Sequence, residues 1–193
     1  MRMLLTTDKQ IILGSGSPRR KELLAMLGFS FEVVVREVEE TYPAKMEPAV
    51  VPVFLAQKKA AAFKLEHTSD LLITADTVVI CENEVLGKPE NEEHAVEILH
   101  KLSGKMHAVV TGVNLYSIEK SHAFSERTEV YFSALSEEEI RYYIRNFQPY
   151  DKAGAYGIQD WIGLRAITRI NGSYTNVVGL PTERLYREIQ AFL

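Results

Sequence analysis

Short apolar runs alternate with amphipathic stretches along the chain, and this pattern predicts strands alternating with helices. Residues 10–14 predict a short buried strand that enters a turn. A helix follows, because Ser17 is a good N-cap, Pro18 suits the first helical position and Gly28 can close the last turn. Further strands are predicted over 31–35, 71–75, 78–81, 106–118 and 122–133. Further helices are predicted over 48–65, 91–102 and 136–147, the last with a Ser136–Glu139 capping box, and from Pro181 onward.

The C-terminal third carries turn signals as well as helix signals. Residues 148–163 predict a glycine-rich loop. Asn171-Gly172 is the strongest short hairpin signal in the chain, so we predict a hairpin between strands 165–170 and 173–178. Strands that alternate with helices, together with hairpins, indicate the α/β class with a mixed sheet.

Composition bounds the kind of protein further. A chain of 193 residues, 46% hydrophobic and 25% charged, is typical of a globular protein. A chain of this length buries roughly 70% of its unfolded surface. Because no repeat or linker is visible, residues 1–193 are expected to form a single domain, or two intimate lobes. The net charge of -4 argues against broad affinity for nucleic acid but leaves a local basic pocket open.

Three features bear on where the protein works. The longest apolar stretch, 49–56, contains Pro52 and is too short for a transmembrane helix. Polar residues at 6–10 interrupt the apolar pieces of the N-terminus, so we expect no signal peptide. The lone Cys81 cannot form an internal disulfide, which suits a reducing compartment. We therefore expect a cytoplasmic protein without a membrane partner.

The turn between the first strand and the first helix is a candidate phosphate site. Backbone N–H groups and the positive end of a helix dipole point out of such a turn. Ser15 and Gly16 are small, and Arg19 and Arg20 offer fork-shaped donors that suit phosphate oxygens. Arg20 also shares a helix face with three leucines three, four and seven residues further on, where a solvated arginine is out of place. The alternative is a plain N-cap with two surface arginines.

Acidic residues after two predicted strands are candidates for a metal site or a catalytic base. Asp76 follows the run 71–73, and Glu39 and Glu40 follow the second strand. Ligands meet the ends of strands in open α/β sheets, and Mg²⁺ needs only a few carboxylates besides substrate phosphates and water. The alternatives are a turn-capping aspartate and a solvated pair of glutamates. Of these residues Asp76 is favoured.

Lysines and one loop complete the set of candidates. Lys58, Lys59 and Lys88 could add positive charge for a phosphate, although lysines are most often solvated. No pair of histidines has the spacing of a zinc site. The loop 151–159 is dense in glycine and charge, and its Gln159 has the donors and acceptor needed to read a nucleobase edge. A purely structural loop is the alternative.

Several motifs in this chain stand together in the order of one known family. They are GSGSPRRKELL at 14–24, EVEE at 37–40, LAQKKA at 55–60, ADTVV at 75–79, LGKP at 86–89, LSGKMHAVVTGV at 102–113, DKAGAYGIQ at 151–159 and NGSYTNVVGLP at 171–181. With these motifs the chain resembles the Maf (septum formation inhibitor) family of nucleoside triphosphate pyrophosphatases. The loop DKAGAYGIQ at 151–159 looks like that of the branch of the family that hydrolyses dTTP and UTP.

The resemblance implies a fold and a set of site residues. The family's fold is an elongated mixed α/β sheet flanked by helices, with two lobes around a cleft, similar to inosine triphosphate pyrophosphatase. By resemblance Asp76 is the proton acceptor, and Arg19, Thr77 and Gln159 are linked to base choice. The positions that match the family's substrate- and metal-binding residues are Ser15, Arg20, Glu39, Lys59 and Lys88. Two departures stand out, Gly14 where Ala is common and Asp160 where Gly usually follows the glutamine.

These expectations combine into one hypothesis and two rivals. The hypothesis is hydrolysis of dTTP and UTP to the monophosphate and pyrophosphate with Mg²⁺ or Mn²⁺, in which Asp76 and Glu39 hold the metal. One rival is a nucleotide-binding regulator of cell division with weak hydrolysis, and the other is the same chemistry on modified pyrimidine triphosphates. The expected partner is the nucleoside triphosphate, with a homodimer left open and no nucleic acid.

Overall fold

The computed structural model describes residues 9–68 and 70–193, so most of the polar N-terminal segment discussed above lies outside the described residues. The strands are β1 (Gln10–Leu13), β2 (Phe31–Val33), β3 (Asp70–Cys81), β4 (Glu84–Leu86), β5 (Met106–Tyr116), β6 (Ser121–Phe132) and β7 (Ile167–Asn171). The helices are α1 (Pro18–Met26), α2 (Val51–Ala61), α3 (Glu92–Leu102), α4 (Glu137–Phe147), α5 (Trp161–Ala166), α6 (Tyr174–Val178) and α7 (Thr182–Phe192). In this part of the chain no helix has the length and apolar character needed to cross a bilayer.

The strands form one mixed sheet, which confirms the predicted class. Its order is β2-β1-β3-β5-β6-β7, with β4 paired to β3. β1 runs parallel to both β2 and β3, and its Leu13 lies opposite Ile73. β4 and β7 pair antiparallel with their neighbours. Because β1 and β3 are parallel and Leu13 pairs with Ile73, the turn after β1 lies beside the stretch of β3 that follows Ile73, and both segments carry predicted site residues.

The chain folds into two compact units. The first comprises the chain up to Asp76 together with Thr111–Glu126 and Gly179–Leu193, and the second comprises Thr77–Val110 and Arg127–Val178. Each has its own apolar core. The first core includes Leu13, Leu24, Leu71, Val113, Leu185 and Phe192. The second includes Val79, Leu99, Val109, Ile140, Tyr143 and Ile162.

Most predicted helix ends agree with the structure. Ser17 caps α1 through a hydrogen bond from the Arg20 N–H to its Oγ, and Gly28 after the helix has a φ of +84°. The capping box of α4 is present, since the Ser136 and Glu139 side chains each accept a hydrogen bond from the other's backbone N–H. Local side-chain chemistry therefore determines where these helices begin.

The predicted hairpin at Asn171-Gly172 is wrong. β7 ends there, but residues 174–178 form α6 instead of a returning strand. Ser173 Oγ accepts the N–H of Asn176 at 3.3 Å, which starts a helical turn. The fully buried Asn176 amide donates to the Val109 carbonyl at 3.1 Å and to Thr128 Oγ1 at 3.0 Å. These long-range hydrogen bonds override the local turn signal.

Other boundaries also differ from the predictions. The strands predicted over 71–75 and 78–81 are one continuous strand, β3, so Asp76 lies within a strand and not after its end. The predicted helix 48–65 is shorter, because α2 spans only Val51–Ala61. The predicted loop 148–163 contains two 3₁₀ turns and the start of α5, which also replaces the beginning of the predicted strand 165–170.

Helix α2 packs very closely on β5 at Gly112. A Cβ added at Gly112 would lie 2.3 Å from both Pro52 C and Val53 N, which are backbone atoms of α2. A second tie fixes the same helix to β3, because Thr74 Oγ1 donates to the Ala56 carbonyl at 2.7 Å. α2 is therefore held at its first turn by contact and at its middle by a buried hydrogen bond.

Candidate active site

The small residues Gly14 and Ser15 take part in the hydrogen bonds that fix the turn after β1. The Gly14 N–H donates to the Ile73 carbonyl at 2.8 Å and continues the β1–β3 pairing by one residue. Ser15 is buried, and its Oγ accepts the N–H of Ser17 at 3.3 Å. A Cβ on Gly14 would lie 2.8 Å from Thr74 Cγ2, so glycine, where the family more often has alanine, suits the neighbours it has here.

Arg20 is not a surface arginine, so the alternative of two surface arginines is wrong for this residue. Its Nε donates to the Gly179 carbonyl at 2.9 Å, and its Nη1 donates to the Ala75 carbonyl at 2.9 Å and to Ser15 Oγ at 3.2 Å. Its helix face is the apolar one, as predicted, because Leu24 on that face is fully buried. Burial lowers the pKa of the Arg20 guanidinium, and the negative charge of Asp76 opposes that shift. Arg19 beside it is half-buried.

Lys59 and Asp76 form the central charged pair. Lys59 Nζ lies 2.5 Å from Asp76 Oδ1, and the two side chains are only 16% and 10% exposed. The neighbouring hydrogen bond from Thr74 to Ala56 explains the placement, since Thr74 precedes Asp76 by two residues on the same face of β3 and Ala56 precedes Lys59 by about one helical turn. Sequence and packing together therefore place the lysine over the aspartate. Lys58 points elsewhere and donates to Thr41.

Glu40, a candidate only as a member of the Glu39–Glu40 pair and not one of the positions implied by the resemblance, also contacts Lys59. Its Oε1 lies 2.7 Å from Lys59 Nζ, so one ammonium group bridges two carboxylates. Glu39, the residue selected by resemblance, is exposed, and it makes no ion pair within residues 9–68 and 70–193. The only sequence signal for Glu40 was its position in the acidic pair.

The acidic side chains in and near this site, Asp76 and the Glu39–Glu40 pair, are of the chemical type that a divalent cation binds. Carboxylate oxygens are the ligands that Mg²⁺ and Mn²⁺ prefer, and Mg²⁺ commonly takes only one or two of them besides substrate phosphates and water. Within the described ranges no cluster of three or more His, Cys, Asp or Glu side chains is arranged as a metal site. Protein carboxylates alone would therefore leave the coordination of a cation here incomplete, and oxygen atoms of a ligand or of water would have to complete it.

The remaining predicted residues belong to the second unit. Thr77 is half-buried in β3, Lys88 is exposed after β4, and Gln159 is exposed in the loop before α5. The loop that carries Gln159 is tied to the segment that carries Lys88, because the Gly154 N–H donates to the Gly87 carbonyl at 3.0 Å. The structure thus brings two separately predicted motifs together within this unit.

The loop 151–160 is an ordered part of the second core and not a bare connector. Gly154 has a φ of +69°, and an added Cβ would lie 2.7 Å from Val79 Cγ2. Tyr156 is 6% exposed, and its hydroxyl lies 2.8 Å from His107 Nε2. Burial lowers the pKa of His107 to about 4, so the imidazole is neutral at physiological pH.

Residues 157–160 form a tight turn with Gln159 near its centre. The Asp160 N–H donates to the Gly157 carbonyl at 3.0 Å. The Tyr143 hydroxyl donates to Asp160 Oδ2 at 2.7 Å and accepts the Gly157 N–H at 3.1 Å. Asp160, which departs from the family's usual glycine, has an ordinary φ of -83°, so no left-handed backbone is required there. Tyr143 has no local sequence signal for this role, because it lies 14 residues before Gly157 and fits the apolar pattern of its helix.

A family profile and several named relatives all place this chain in the same family. The sequence profile of a family described as "Maf-like protein" matches residues 10–192. A protein of Phocaeicola vulgatus named dTTP/UTP pyrophosphatase is 51% identical over 191 residues, which cover 97% of this chain and 99% of that protein. Proteins of the same name from Bacteroides thetaiotaomicron and Porphyromonas gingivalis are 49% and 50% identical, covering 97% and 95% of this chain and 99% and 94% of their own lengths.

Solved structures also resemble part of the chain. A Staphylococcus aureus Ham1 protein is 16% identical with a TM-score of 0.45, covering 64% of this chain and 72% of its own. A HAM1 protein from Coxiella burnetii is 12% identical with a TM-score of 0.43, covering 64% of this chain and 73% of its own.

Proposed function

Because the chain belongs to the Maf family, we propose that it hydrolyses dTTP and UTP to the nucleoside monophosphate and pyrophosphate. One observation carries the proposal. Relatives at about half identity, aligned over nearly the full length of both chains, bear the name dTTP/UTP pyrophosphatase. The buried ion pair of Lys59 and Asp76 supports it, because a carboxylate beside a fixed cation suits hydrolysis of a phosphoanhydride.

In this reaction a water molecule attacks the α-phosphorus, the bond to the bridging oxygen breaks, and pyrophosphate leaves. We assign Asp76 as the base that accepts the proton of the attacking water. A carboxylate that is nearly buried and held by Lys59 has a fixed position, which general base catalysis requires. Lys59 transfers no proton in this reaction, and its ammonium group orients the aspartate and offsets phosphate charge.

The charge of the triphosphate requires local compensation, since the chain as a whole has a net charge of -4. We assign this role to Lys59, Arg20 and Lys88, with Ser15 as a hydroxyl donor. Arg20 already uses its Nε and Nη1 groups to anchor Ala75 and Gly179. Its contribution to phosphate binding is therefore a preorganised charge, whose orientation costs nothing when the substrate arrives.

We propose a divalent cation, Mg²⁺ or Mn²⁺, as the cofactor, with Asp76 and Glu39 as its protein ligands. When bound, it supplies Lewis-acid stabilisation of charge on the phosphoryl oxygens. Glu39 suits this role because its carboxylate is exposed and makes no ion pair among the described residues, whereas Glu40 is already paired with Lys59.

The lone Cys81 and the nucleotide substrate are both consistent with the proposed cytoplasmic location.

Glu39→Gln should weaken use of the metal more than Glu40→Gln does. The Mg²⁺ concentration that gives half-maximal activity should rise at least about tenfold in Glu39→Gln, because a cation ligand has lost its charge. Titration of activity with Mg²⁺, together with Mn²⁺ binding followed by electron paramagnetic resonance, measures both variants. A larger shift in Glu40→Gln would assign the cation to Glu40 instead, and equal shifts would contradict its assignment to Glu39 over Glu40.

A panel of nucleoside triphosphates tests the function as a whole. The purified protein is incubated with Mg²⁺ and each of dTTP, UTP, CTP, dCTP, ATP, GTP and two modified pyrimidine triphosphates, and pyrophosphate release is measured. We expect the highest kcat/KM values for dTTP and UTP. Tight binding of these nucleotides without pyrophosphate release would favour a nucleotide-binding regulator, and faster turnover of the modified nucleotides would shift the substrate range.

Gln159 is proposed to read the pyrimidine edge, with Arg19 and Thr77 as further positions linked to base choice. Thymine and uracil present one N–H between two carbonyls, and a primary amide can pair with the N–H and one carbonyl at once. Cytosine replaces that N–H with an acceptor and one carbonyl with an amino group. Bound cytosine would leave polar groups of the site and of the base unpaired, and such unpaired groups discriminate strongly against the wrong base.

Gln159→Ala should therefore lower the preference for UTP over CTP more than it slows UTP itself. We expect the ratio of kcat/KM values to fall about tenfold or more. The matched control is Gln190→Ala, which removes an exposed glutamine from α7. Steady-state kinetics on dTTP, UTP and CTP decide the matter, and an unchanged ratio in Gln159→Ala would transfer base reading to Arg19, Thr77 or backbone groups.

A further inference from the structure

The turn that carries Gln159 is held at both ends by a single oxygen atom. Gly157 and Asp160 are the first and last residues of this turn, and both contact the hydroxyl of Tyr143. Between them Ile158 is buried in the second core, while Gln159 is exposed. The backbone on each side of Gln159 is therefore fixed, although the side chain itself is accessible.

Tyr143 is a rigid support for this contact. It is fully buried on α4, and its ring stacks on Phe147 with centroids 5.2 Å apart. Burial raises the pKa of the Tyr143 phenol, and the hydrogen bond to Asp160 raises it further, so the hydroxyl keeps its proton. It can then donate to the carboxylate of Asp160 while it accepts the N–H of Gly157.

The turn has little room to shift sideways. A Cβ on Gly157 would lie 2.6 Å from Asp160 Oδ2, so the carboxylate fills the space above that glycine. On the other side, a Cβ on Gly163 would lie 1.9 Å from the Ile158 carbonyl oxygen, so α5 is in direct contact with the turn. Lys152 Nζ lies 3.9 Å from Asp160 Oδ2 and gives the carboxylate a counter-charge.

We infer that Tyr143 and Asp160 are positioning residues that set base selectivity by fixing the 157–160 turn. This inference rests on the proposed reading of the base by Gln159. The Gln159 amide can reach a base edge with its donor and acceptor correctly placed only if the backbone that carries it is held in position, and the ties of Tyr143 to Gly157 and Asp160 hold that backbone. The carboxylate of Asp160 supplies the acceptor on which this tie depends, since the Tyr143 hydroxyl donates to it at 2.7 Å.

The experiment compares four variants with the wild-type protein. Tyr143→Phe removes only the hydroxyl, and Asp160→Ala removes the acceptor. Asp160→Asn keeps an oxygen acceptor for the Tyr143 hydroxyl and serves as the conservative rescue. Tyr142→Phe is the matched control, since it removes one hydroxyl from the neighbouring, exposed tyrosine of the same helix. For each variant kcat and KM are measured on UTP and CTP, and circular dichroism confirms folding.

We expect Tyr143→Phe and Asp160→Ala to lower the ratio of kcat/KM for UTP over CTP about tenfold, since displacing a recognition group by about an ångström has effects of this size. The KM for UTP should rise more than kcat falls, because base contacts form in the ground state. Asp160→Asn and Tyr142→Phe should keep the wild-type ratio.

Unchanged ratios in folded Tyr143→Phe and Asp160→Ala, or equal losses on both nucleotides, would overturn the inference and leave the pair a structural role only. That result differs from failure of the proposed function, in which the wild-type protein itself releases no pyrophosphate or shows no preference for UTP. Should Tyr143→Phe not fold, Asp160→Ala alone decides.

Discussion

Asp76→Asn should abolish nearly all pyrophosphate release from dTTP and UTP while the protein stays folded. The amide is isosteric with the carboxylate but cannot accept the proton of the attacking water, and loss of a general base typically costs 100-fold to 10,000-fold in rate. Lys59 keeps Glu40 as an ion-pair partner in the variant, so its charge is not left uncompensated. The measurement is the initial rate of pyrophosphate release at saturating nucleotide and Mg²⁺, with thermal unfolding as the test of the fold.

The same strand offers a matched control for this variant. Asp70 lies at the start of β3, is as buried as Asp76, and accepts the N–H of His67 at its Oδ2. Asp70→Asn removes the same charge without touching the proposed base, so its rate should stay within a few-fold of the wild type. A well-folded Asp76→Asn protein with normal turnover would remove Asp76 from the catalytic role.

Gly112→Ala should have the largest effect on stability. The new methyl group would collide with backbone atoms of Pro52 and Val53, and backbone cannot rotate away as a side chain can. We expect a loss of about 3 kcal/mol or more in the free energy of unfolding, which for a chain of this size lowers Tm by roughly 6–12 °C. Since α2 also carries Lys59, the folded fraction should lose activity too.

Thermal unfolding of Gly112→Ala beside Gly87→Ala tests this packing. A Cβ on Gly87 would meet no atom within 4 Å, so that variant should change the free energy of unfolding by only about 0.5 kcal/mol. If Gly112→Ala were as stable as Gly87→Ala, the close contact between β5 and α2 would not exist in solution.

Local chemistry in the sequence predicts much of this fold. Ser17 and Ser136 mark the starts of their helices because their hydroxyl groups accept backbone N–H groups within the same turn. The position of Arg20 on the apolar face of α1 is also predictable, because the spacing that puts residues i and i+4 on one face depends on nothing outside the helix. Elements defined by contacts within a few residues are therefore predictable.

Features that depend on distant residues escape this reasoning. The helix after Asn171-Gly172 depends on hydrogen bonds of Asn176 to Val109 and Thr128, which no local pattern reveals. Glu40 joins Lys59 only because an irregular segment folds back over α2. Tyr143 was missed because its chemistry lies in one hydroxyl that reaches a turn 14 residues away. In the site, the sequence indicates which chemical groups are present, and packing decides which of them meet.

The division of the chain into two units has a consequence for synthesis on the ribosome. The first unit needs α7, because Leu185, Ile189 and Phe192 on this helix complete its core. The second unit ends at Val178 and has all its residues earlier. The first unit therefore starts earlier in the chain than the second but is complete only after the second unit's last residue has been made. A nascent chain stalled before residue 179 would expose the unfinished first core, so this unit depends on translation through α7 to cover its apolar side chains.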